Sequence, residues 1–504
     1  MTKSGAQPPF PGAVDRRTVL GYAATAAAAS LVGLPGAARA QGTKTGIDIA
    51  TWTPQYISSI AGTAEYDTAA ECARVTPLSH AGRLTYWYFG PTQASPQIEH
   101  ELDAQFWDAF GKLYPNIKVT RQNLSYNEML DKLRTAALGK AAPMVARLPI
   151  LWGVEFAAKG QLREFGPADV GYGADEFWPG AMKSVTWKGK TYGVPTNNET
   201  MAFIWNAQIF RDAGLDPERA PESWDDVVAY SKQIKEKTGK NGYGMVARVN
   251  AGNTPFRFMP QLWAYGGGAL DEAEANPTYK NVFINNAGSK AALQAAYDMY
   301  VRDKSVPVSA LTNTQTENQD PFIAGNLAMM IAHPSEYAFM LDRAKKATGD
   351  DKKAADAVVA NMRYGLIPRG ASRRAVVFGG SNAHIFRADL VDGGLDLPAA
   401  KAVVAFATGP EWSTKMAWVG SNPGNLRGFR TKWMKQRLEQ IKFLDVTTSM
   451  LPYGIPFPAL PQAPEIMNII VPDMLQNALT GAMTVDQAAD DAAKKVKNLM
   501  GDGL

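Results

Sequence analysis

A short polar run lies between two apolar stretches near the middle of the chain. Residues 196–199 read Thr-Asn-Asn-Glu; they follow Gly-Lys-Thr-Tyr-Gly-Val-Pro at 189–195 and precede the apolar residues 201–205. Gly189 favours a tight hairpin turn, and Pro195 has no N–H, so we expect the strand ladder to end there. The run therefore predicts a crossing between two domains, and such crossings line ligand clefts.

The side chains of this run can exchange hydrogen bonds with a ligand that carries hydroxyl groups. Asn197 and Asn198 each offer a donor and an acceptor, and Glu199 offers two acceptor oxygens. Either asparagine could instead satisfy the backbone of a turn. We favour the binding role because both lie at the predicted crossing.

Two later stretches place polar groups beside apolar strands. Gly380, Ser381 and Asn382 form a kink between two apolar strands, where glycine lets backbone N–H groups approach a ligand closely. Glu336 follows the buried strand predicted at 327–331. It could accept hydroxyl groups, lie on the surface, or act with Glu199 as the carboxylate pair of a glycoside hydrolase or lyase.

Aromatic residues beside these polar groups could stack on the apolar faces of sugar rings. Trp87 and Trp263 could equally be core residues, because strand alternation or helix packing would bury them. The candidate aromatic residues are Trp87, Tyr88 and Phe89 at the end of the first strand, Trp263 and Tyr265 before a glycine run, and Tyr337 beside Glu336.

Several classes of chemistry lack their sequence motifs. The four histidines show no HExxH or His-x-His spacing, and Cys72 is the only cysteine, so we expect no metal site, no cofactor and no internal disulfide. A Gly-x-Ser-x-Gly elbow and a dinucleotide fingerprint are also absent. The net charge of +4 gives no reason to expect a nucleic-acid partner.

The N-terminus reads as an export signal over residues 1–40. Arg16 and Arg17 precede a small-residue apolar run at 19–34, and Ala-Arg-Ala at 38–40 fits a cleavage site. This resembles a twin-arginine (Tat) signal, and the run is too short to span a membrane. We expect a periplasmic protein without membrane insertion.

A regular alternation of strands and helices begins at residue 83, after an N-terminal extension at 41–82 that shows no sustained period. Strands at 83–89, 117–119 and 144–151 alternate with helices whose apolar residues are spaced by three and four. This alternation of strands and helices predicts an α/β fold with mainly parallel sheets flanked by helices. Ligands of such sheets bind beyond the carboxyl ends of the strands.

The chain is long enough for two lobes after the extension. We expect lobe I to comprise 83–196 plus about 370–425, and lobe II to comprise 197–369 plus about 426–504. The turn Asn-Pro-Gly-Asn at 422–425 is the candidate for a third crossing.

Five motifs in this order resemble the extracellular (periplasmic) solute-binding proteins of carbohydrate ABC transporters, family 1, the group of maltodextrin and oligosaccharide binders. They are Gly-Lys-x-Tyr-Gly-Val-Pro at 189–195, Asn206 ahead of Ala-Gly-Leu at 213–215, Ser-Trp-Asp-Asp at 223–226, Phe-x-x-Gly-x-x-Ala-Met at 322–329 and Gly379-Gly380. The likeness covers most of the chain from Leu84.

The sequence departs from the usual family pattern at three places. Pro-Met-Val stands at 143–145 where Pro-Asp-Val is common, and His-Pro-Ser-Glu-Tyr stands at 333–337 where Gly-x-Trp is common. The extension at 41–82 has no counterpart in that pattern.

The resemblance implies a two-lobed periplasmic-binding-protein fold with two or three hinge crossings. A monomer of this kind traps a small-molecule carbohydrate or related polyol between its lobes and delivers it to ABC transporter permease subunits, without being an enzyme. The ligand-binding residues expected on this basis are Trp87, Tyr88, Phe89, Asn197, Asn198, Glu199, Trp263, Tyr265, Glu336, Tyr337, Gly380, Ser381 and Asn382.

Overall fold

The computed structural model describes residues 45–93, 95, 97–249, 253–271, 278–417 and 420–501. The signal predicted over residues 1–40 lies outside the described residues. The strands are β1 Gly82–Phe89, β2 Ile117–Leu124, β3 Val145–Pro149, β4 Thr186–Trp187, β5 Lys190–Thr191, β6 Val194–Glu199, β7 Ala202–Asn206, β8 Asn241–Tyr243, β9 Leu327–Ala332, β10 Met362–Gly365, β11 Val376–Val377, β12 Gly379–Ile385, β13 Asn422–Pro423 and β14 Gly454–Ile455.

Helices cover the sheets and carry the chain between strands. The longer ones are Gln97–Leu113, Tyr126–Leu138, Trp224–Thr238, Asn253–Ala264, Ala287–Tyr297, Glu336–Lys346, Gly349–Asn361, Leu397–Thr408 and Val485–Met500. The shorter α-helices are Pro54–Ile60, Thr68–Ala73, Gly153–Ala158, Pro179–Ser184, Ala207–Asp212, Gln315–Ile323, Pro410–Lys415, Lys432–Gln440, Leu444–Thr448, Ala463–Glu465 and Val471–Leu479. None of the described helices is both long and apolar enough to cross a bilayer.

Two mixed sheets form the framework, and the α/β class expected from the sequence is confirmed. The first sheet has the order β13-β6-β12-β3-β1-β2, and the second has the order β10-β7-β9-β8. In the first sheet β1 is parallel to β2 and β3, whereas β12 is antiparallel to β3 and β6. In the second sheet β7 is antiparallel to β9 and β10, and β8 is parallel to β9.

The expectation of mainly parallel sheets is therefore wrong for the strands nearest the crossings. A parallel pair needs a crossover connection, usually a helix, and β1, β2 and β3 are linked by helices in this way. Strands β6, β12 and β13 lie next to passages between the sheets, and each pairs antiparallel with its neighbour.

The described chain passes between the sheets at three places. Only two residues, Thr200 and Met201, separate β6 in the first sheet from β7 in the second. The chain returns from β10 to β12 through residues 366–378. After β13 it runs to the helix Leu444–Thr448, which contacts β10 of the second sheet.

The N-terminal extension is folded along the outside of these elements. The Trp52 indole Nε1 donates to the carbonyl oxygen of Thr448 at 3.0 Å, and Glu71 accepts from Arg427 at 2.6 Å. Cys72 is buried in the helix Thr68–Ala73, which packs on the helix Leu397–Thr408. Burial, assisted by the neighbouring Glu71 carboxylate, raises the pKa of the Cys72 thiol to about 12.

Candidate functional site

Strand β6 continues past Pro195 instead of ending there. Its pairing with β12 shifts register between Ser381 and Asn382, so that Thr196 is the extra residue of a β-bulge. A bulge tolerates a proline because the ladder is already interrupted. The Thr196 hydroxyl donates to the carbonyl oxygen of Ser381 at 2.8 Å and thereby ties the bulge to β12.

A chain of polar side chains begins at this bulge. The Arg147 guanidinium on β3 donates through Nη2 to Asn197 Oδ1 at 3.0 Å. Asn197 Nδ2 donates to Glu199 Oε1 at 2.9 Å, and Glu199 Oε2 lies 3.2 Å from His333 Nε2. Because His333 follows β9, this chain of contacts connects the first sheet to the second.

The Glu199–His333 pair shifts the pKa of both partners. Burial alone would raise the pKa of Glu199, but His333 and then Arg147 outweigh it, and the net shift is downward. Burial alone would lower the pKa of His333, but Glu199 outweighs it, and the net shift is upward. The two side chains are 26% and 22% exposed, so the pair is only partly shielded from solvent.

Glu336 lies at the second-sheet end of this cluster and is fully buried. Its Oε2 accepts from Gln315 Nε2 at 3.1 Å, while its Oε1 has no hydrogen-bond partner among the described residues. Burial raises the pKa of Glu336 to about 7, against the opposite influence of His333 and Arg257. Buried Arg257 donates to Gln315 and to Asn253, and desolvation lowers its pKa to about 10.

A small cavity of about 30 Å³ lies beside the bulge, at the carboxyl ends of β1 and β3. Tyr88 lines it, and the Tyr88 hydroxyl donates to Asp103 at 3.1 Å. The Arg147 guanidinium lies over the Phe89 ring, 5.2 Å from its centroid. The full lining is Tyr86, Tyr88, Asp103, Phe106, Trp107, Arg147, Thr196, Asn197, Ala407 and Met416.

The kink residues of β12 lie across from β6. Gly380 has φ +131°, and a Cβ there would be 2.2 Å from the carbonyl oxygen of Asn197, so only glycine fits this close approach. Asn198 is fully buried, and its Nδ2 donates to the carbonyl oxygen of Pro423 at 3.0 Å. Asn198 Oδ1 and Ser381 Oγ have no hydrogen-bond partner among the described residues.

Several candidate residues lie away from this cluster. Trp263 is buried and faces the Phe457 ring at 6.5 Å, and the Tyr265 hydroxyl donates to Asp225 at 2.6 Å. Tyr337 packs edge-on against the Phe443 ring at 5.7 Å. Asn382 Nδ2 donates to the Ser184 hydroxyl at 3.0 Å.

Strand alternation decides the position of the remaining aromatic candidate. In β1 the side chains of Leu84, Tyr86 and Tyr88 are buried, and Trp87 is partly buried between them in the sequence. Successive side chains of a strand point to opposite faces. Trp87 therefore faces away from the cavity that Tyr88 lines.

Three charged residues of the cluster are absent from the sequence-based candidates. Arg147 was detectable, since it is a single basic residue inside an apolar strand, where an unpaired charge is costly. The sequence indicates His333 only as a possible metal ligand, a role that the spacing of the histidines does not support. Arg257 carries the same signal, because it is the single charged residue of the apolar helix Asn253–Ala264.

The arrangement offers the polar and aromatic groups of a binding site. Among the described residues there is no group of three or more His, Cys, Asp or Glu side chains that could hold a metal ion. The cluster offers guanidinium and amide donors, carboxylate acceptors and aromatic walls. These groups suit a small polar ligand with several hydrogen-bonding positions.

Residues 95–413 match the family described as Bacterial extracellular solute-binding protein. A relative from Sinorhizobium fredii, named "Probable amino-acid ABC transporter periplasmic-binding protein y4oP", is 23% identical over 442 residues, covering 86% of this chain and 93% of its own. The sn-glycerol-3-phosphate-binding periplasmic protein UgpB of Pectobacterium atrosepticum is 23% identical over 328 residues, covering 62% of this chain and 67% of its own.

Solved structures share the fold. Maltose-bound MalE3 of T. maritima superimposes with a TM-score of 0.68 at 23% identity, covering 83% of this chain and 100% of that one. The GacH receptor of Streptomyces glaucescens, solved unliganded and with acarbose, gives 0.67 at 23% identity, covering 84% and 100%. At this identity the likeness describes the two-domain architecture and not the ligand.

Proposed function

Because the chain belongs to the bacterial extracellular solute-binding protein family of ABC transporters, we propose that it traps a sugar or related polyol between two lobes and delivers it to the permease subunits. The observation that carries this proposal is the hydrogen-bonded chain from Arg147 through Asn197 and Glu199 to His333. It joins the two sheets beside the crossing from β6 to β7. A ligand that contacts this chain of side chains, which we call the seam between the sheets, can favour one relative position of the lobes over another.

The lobes proposed here are those expected from the sequence. Lobe I comprises residues 83–196 plus about 370–425, and lobe II comprises 197–369 plus about 426–504. Because β6 of the first sheet runs to Glu199, the crossing proposed between them is at Thr200 and Met201. The ligand-contacting residues proposed are Tyr88, Phe89, Asn197, Glu199, Gly380 and Ser381, with Arg147 and His333 added; Trp87, Asn198 and Glu336 stay in the proposal as supporting residues. This proposal does not include Trp263, Tyr265, Tyr337 and Asn382, because their side chains contact Phe457, Asp225, Phe443 and Ser184, respectively.

A ligand screen by thermal unfolding tests this function. A ligand present at 100 times its dissociation constant stabilises the folded state by about 2.7 kcal/mol, which is readily measured as a rise in Tm. We expect at least one sugar or polyol to raise Tm. Asn197→Ala should lower the ligand-free Tm, because Arg147 and Glu199 lose a buried hydrogen-bond partner, and should remove the rise measured relative to the variant's own ligand-free Tm. A Tm that no member of a broad solute panel alters would contradict the proposal.

The alternative function is an exported glycoside hydrolase or lyase that uses Glu199 and Glu336 as its carboxylate pair. Such an enzyme needs both carboxylates to face one substrate. Glu199 is bonded to Asn197 and His333, and Glu336 is fully buried against Gln315. We therefore propose that the protein is not an enzyme; NMR spectra of the bound solute after long incubation should be unchanged, and cleavage products would favour the enzyme.

We also propose that the protein is a periplasmic monomer exported by the twin-arginine pathway. The support is the pair Arg16 and Arg17 ahead of the apolar run, together with a family whose members are extracellular. Replacing both arginines with lysine should leave the precursor unexported, as fractionation would reveal. Sedimentation of the mature chain should give the mass of one copy.

A further inference from the structure

We infer that the ligand carries an anionic group, a phosphate or a carboxylate, and that Arg147 holds it. This inference rests on the proposed function, since it names the class of solute for the same site. It starts from the hydrogen bonds that Arg147 makes and from those that remain open.

Arg147 is bound only by neutral groups. Its Nη2 donates to Asn197 Oδ1 at 3.0 Å and its Nε to the Thr196 hydroxyl at 3.4 Å, and its guanidinium lies over the Phe89 ring. Within the part of the chain that the structure describes, no carboxylate lies within 4 Å of it, and its Nη1 makes no hydrogen bond. The guanidinium plane is therefore fixed while its outer edge stays open, which suits two-point recognition of a phosphate or carboxylate.

The nearby carboxylates are already bound by other groups. Asp103 shares the cavity with Arg147, but it accepts from Arg121 Nη1 at 3.3 Å and from the Tyr88 hydroxyl at 3.1 Å. Glu199 accepts from Asn197 and pairs with His333. Neither carboxylate is placed to neutralise Arg147 directly.

Arg257, at the other end of the cluster, also has no carboxylate hydrogen-bonded to it among the described residues. It is buried, it has neutral partners in Asn253 and Gln315, and its Nε has no partner among the described residues. The nearest acid that influences it is Glu336, whose raised pKa makes it a weak source of negative charge. The seam between the sheets thus carries more positive than negative charge, and a buried charge needs a partner.

The walls around Arg147 suit the carbon skeleton of such a solute. Tyr86, Tyr88 and Trp107 line the cavity with aromatic faces. The cavity of about 30 Å³ has room for a water molecule but not for a sugar, and its lining residues belong to lobe I with Asn197 at the boundary, so entry of a solute requires a rearrangement within that lobe. An anionic polyol could then place its charge on Arg147 and its hydroxyl groups on Asn197 and Glu199.

Matched solute pairs test this inference on the mature chain. The pairs are glycerol 3-phosphate with glycerol, glucose 6-phosphate with glucose, and galacturonate with galactose; inorganic phosphate and glutamate are added to identify the group that binds. We expect an anionic member to raise Tm and its neutral partner not to. By titration calorimetry, Arg147→Gln should weaken binding of that solute about 10- to 100-fold.

Two further variants separate a binding role from a structural one. Arg147→Lys keeps the charge without the planar fork and should recover part of the affinity. Lys118→Gln removes an exposed charge from β2, at the far edge of the same sheet, and should leave binding unchanged. Equal binding of neutral and charged partners, or binding unaffected in Arg147→Gln, would overturn the anionic ligand and leave the proposed function standing, whereas no binding of any solute would contradict both.

Discussion

At the scale of single residues, the polar side chains at the crossing shift one another's pKa values and so determine which of them are charged. Glu199 and His333 hold each other ionised, since the pKa of the first is lowered and that of the second is raised. The contribution of Glu199 is lost as pH falls through its lowered pKa, and that of His333 is lost as pH rises through its raised pKa. The pair therefore stabilises the junction most between about pH 4.5 and 6.5.

Glu336 adds to the loss of stability as pH rises through the neutral range. Its pKa of about 7 in the folded state exceeds its ordinary value of 4.5, so its stabilising protonated form is lost as pH rises through that range. We expect Glu336→Gln to raise the free energy of unfolding at pH 8 by about 1–3 kcal/mol and to change little at pH 4.5. Urea unfolding at both pH values measures this, with exposed Glu236→Gln as the control; equal effects at both pH values would contradict it.

His384 is packed between two glycines, and the fit is tight enough to test. Its Nδ1 lies 2.7 Å from the Tyr192 carbonyl oxygen, and a Cβ on Gly153 would be 2.3 Å from its ring. We expect Gly153→Ala to destabilise the fold by about 1–3 kcal/mol through overpacking. Gly111→Ala has no atom within 4 Å of the new Cβ and lies in a helix, so it should stabilise by about 0.5–1 kcal/mol; urea unfolding compares the two.

The sequence could indicate part of the proposed site because strand ends and a crossing leave local signals. Tyr88 and Phe89 close the first strand, and Asn197 and Glu199 mark the crossing, so all four were found as candidates. Arg257 and Gln315 could not be found in this way, because their proximity to Glu336 depends on how separate helices pack. Tyr265 and Tyr337 were chosen by local composition, yet their partners Asp225 and Phe443 are set by tertiary packing.

At the scale of elements, strand positions were more predictable than strand directions. The aromatic strand ending at Phe89 and the helix Gln97–Leu113 follow from local periodicity. The antiparallel pairing of β12 with β3 and β6 does not, because it depends on where the chain re-enters the first sheet. The bulge at Thr196 was missed for a related reason, since Pro195 alone cannot tell whether a strand ends or bends.

The extension supports a prediction about elements far apart in the sequence. Trp52 packs edge-on against Trp178 at 5.0 Å and Phe429 at 4.8 Å and donates to Thr448. We expect Trp52→Ala to lower the free energy of unfolding by about 3–5 kcal/mol. The exposed neighbour Glu65→Ala should stay within about 0.5 kcal/mol of the unchanged protein; a similar result for Trp52→Ala would mean that the extension is not anchored.

At the scale of the whole molecule, two sheets joined by three connections, one of them only two residues long, should allow the lobes to move as rigid bodies. The link from β6 to β7 spans only Thr200 and Met201, so rotation concentrates in few residues. We expect the radius of gyration from small-angle X-ray scattering to decrease when the solute found by the thermal screen is added. An unchanged value with saturating solute would argue against closure.

The buried thiol of Cys72 can serve as a natural probe of local opening of the N-terminal extension. Its sulfur is buried within the extension, whose helix Thr68–Ala73 packs on the helix Leu397–Thr408, and its raised pKa keeps it unreactive while the extension stays docked. The rate of alkylation by a maleimide therefore reports how often the N-terminal segment detaches, without any engineered label. If solute slows alkylation, detachment of the extension is coupled to the lobe motion that admits the solute. If solute does not change the rate, detachment of the extension and opening of the lobes are independent.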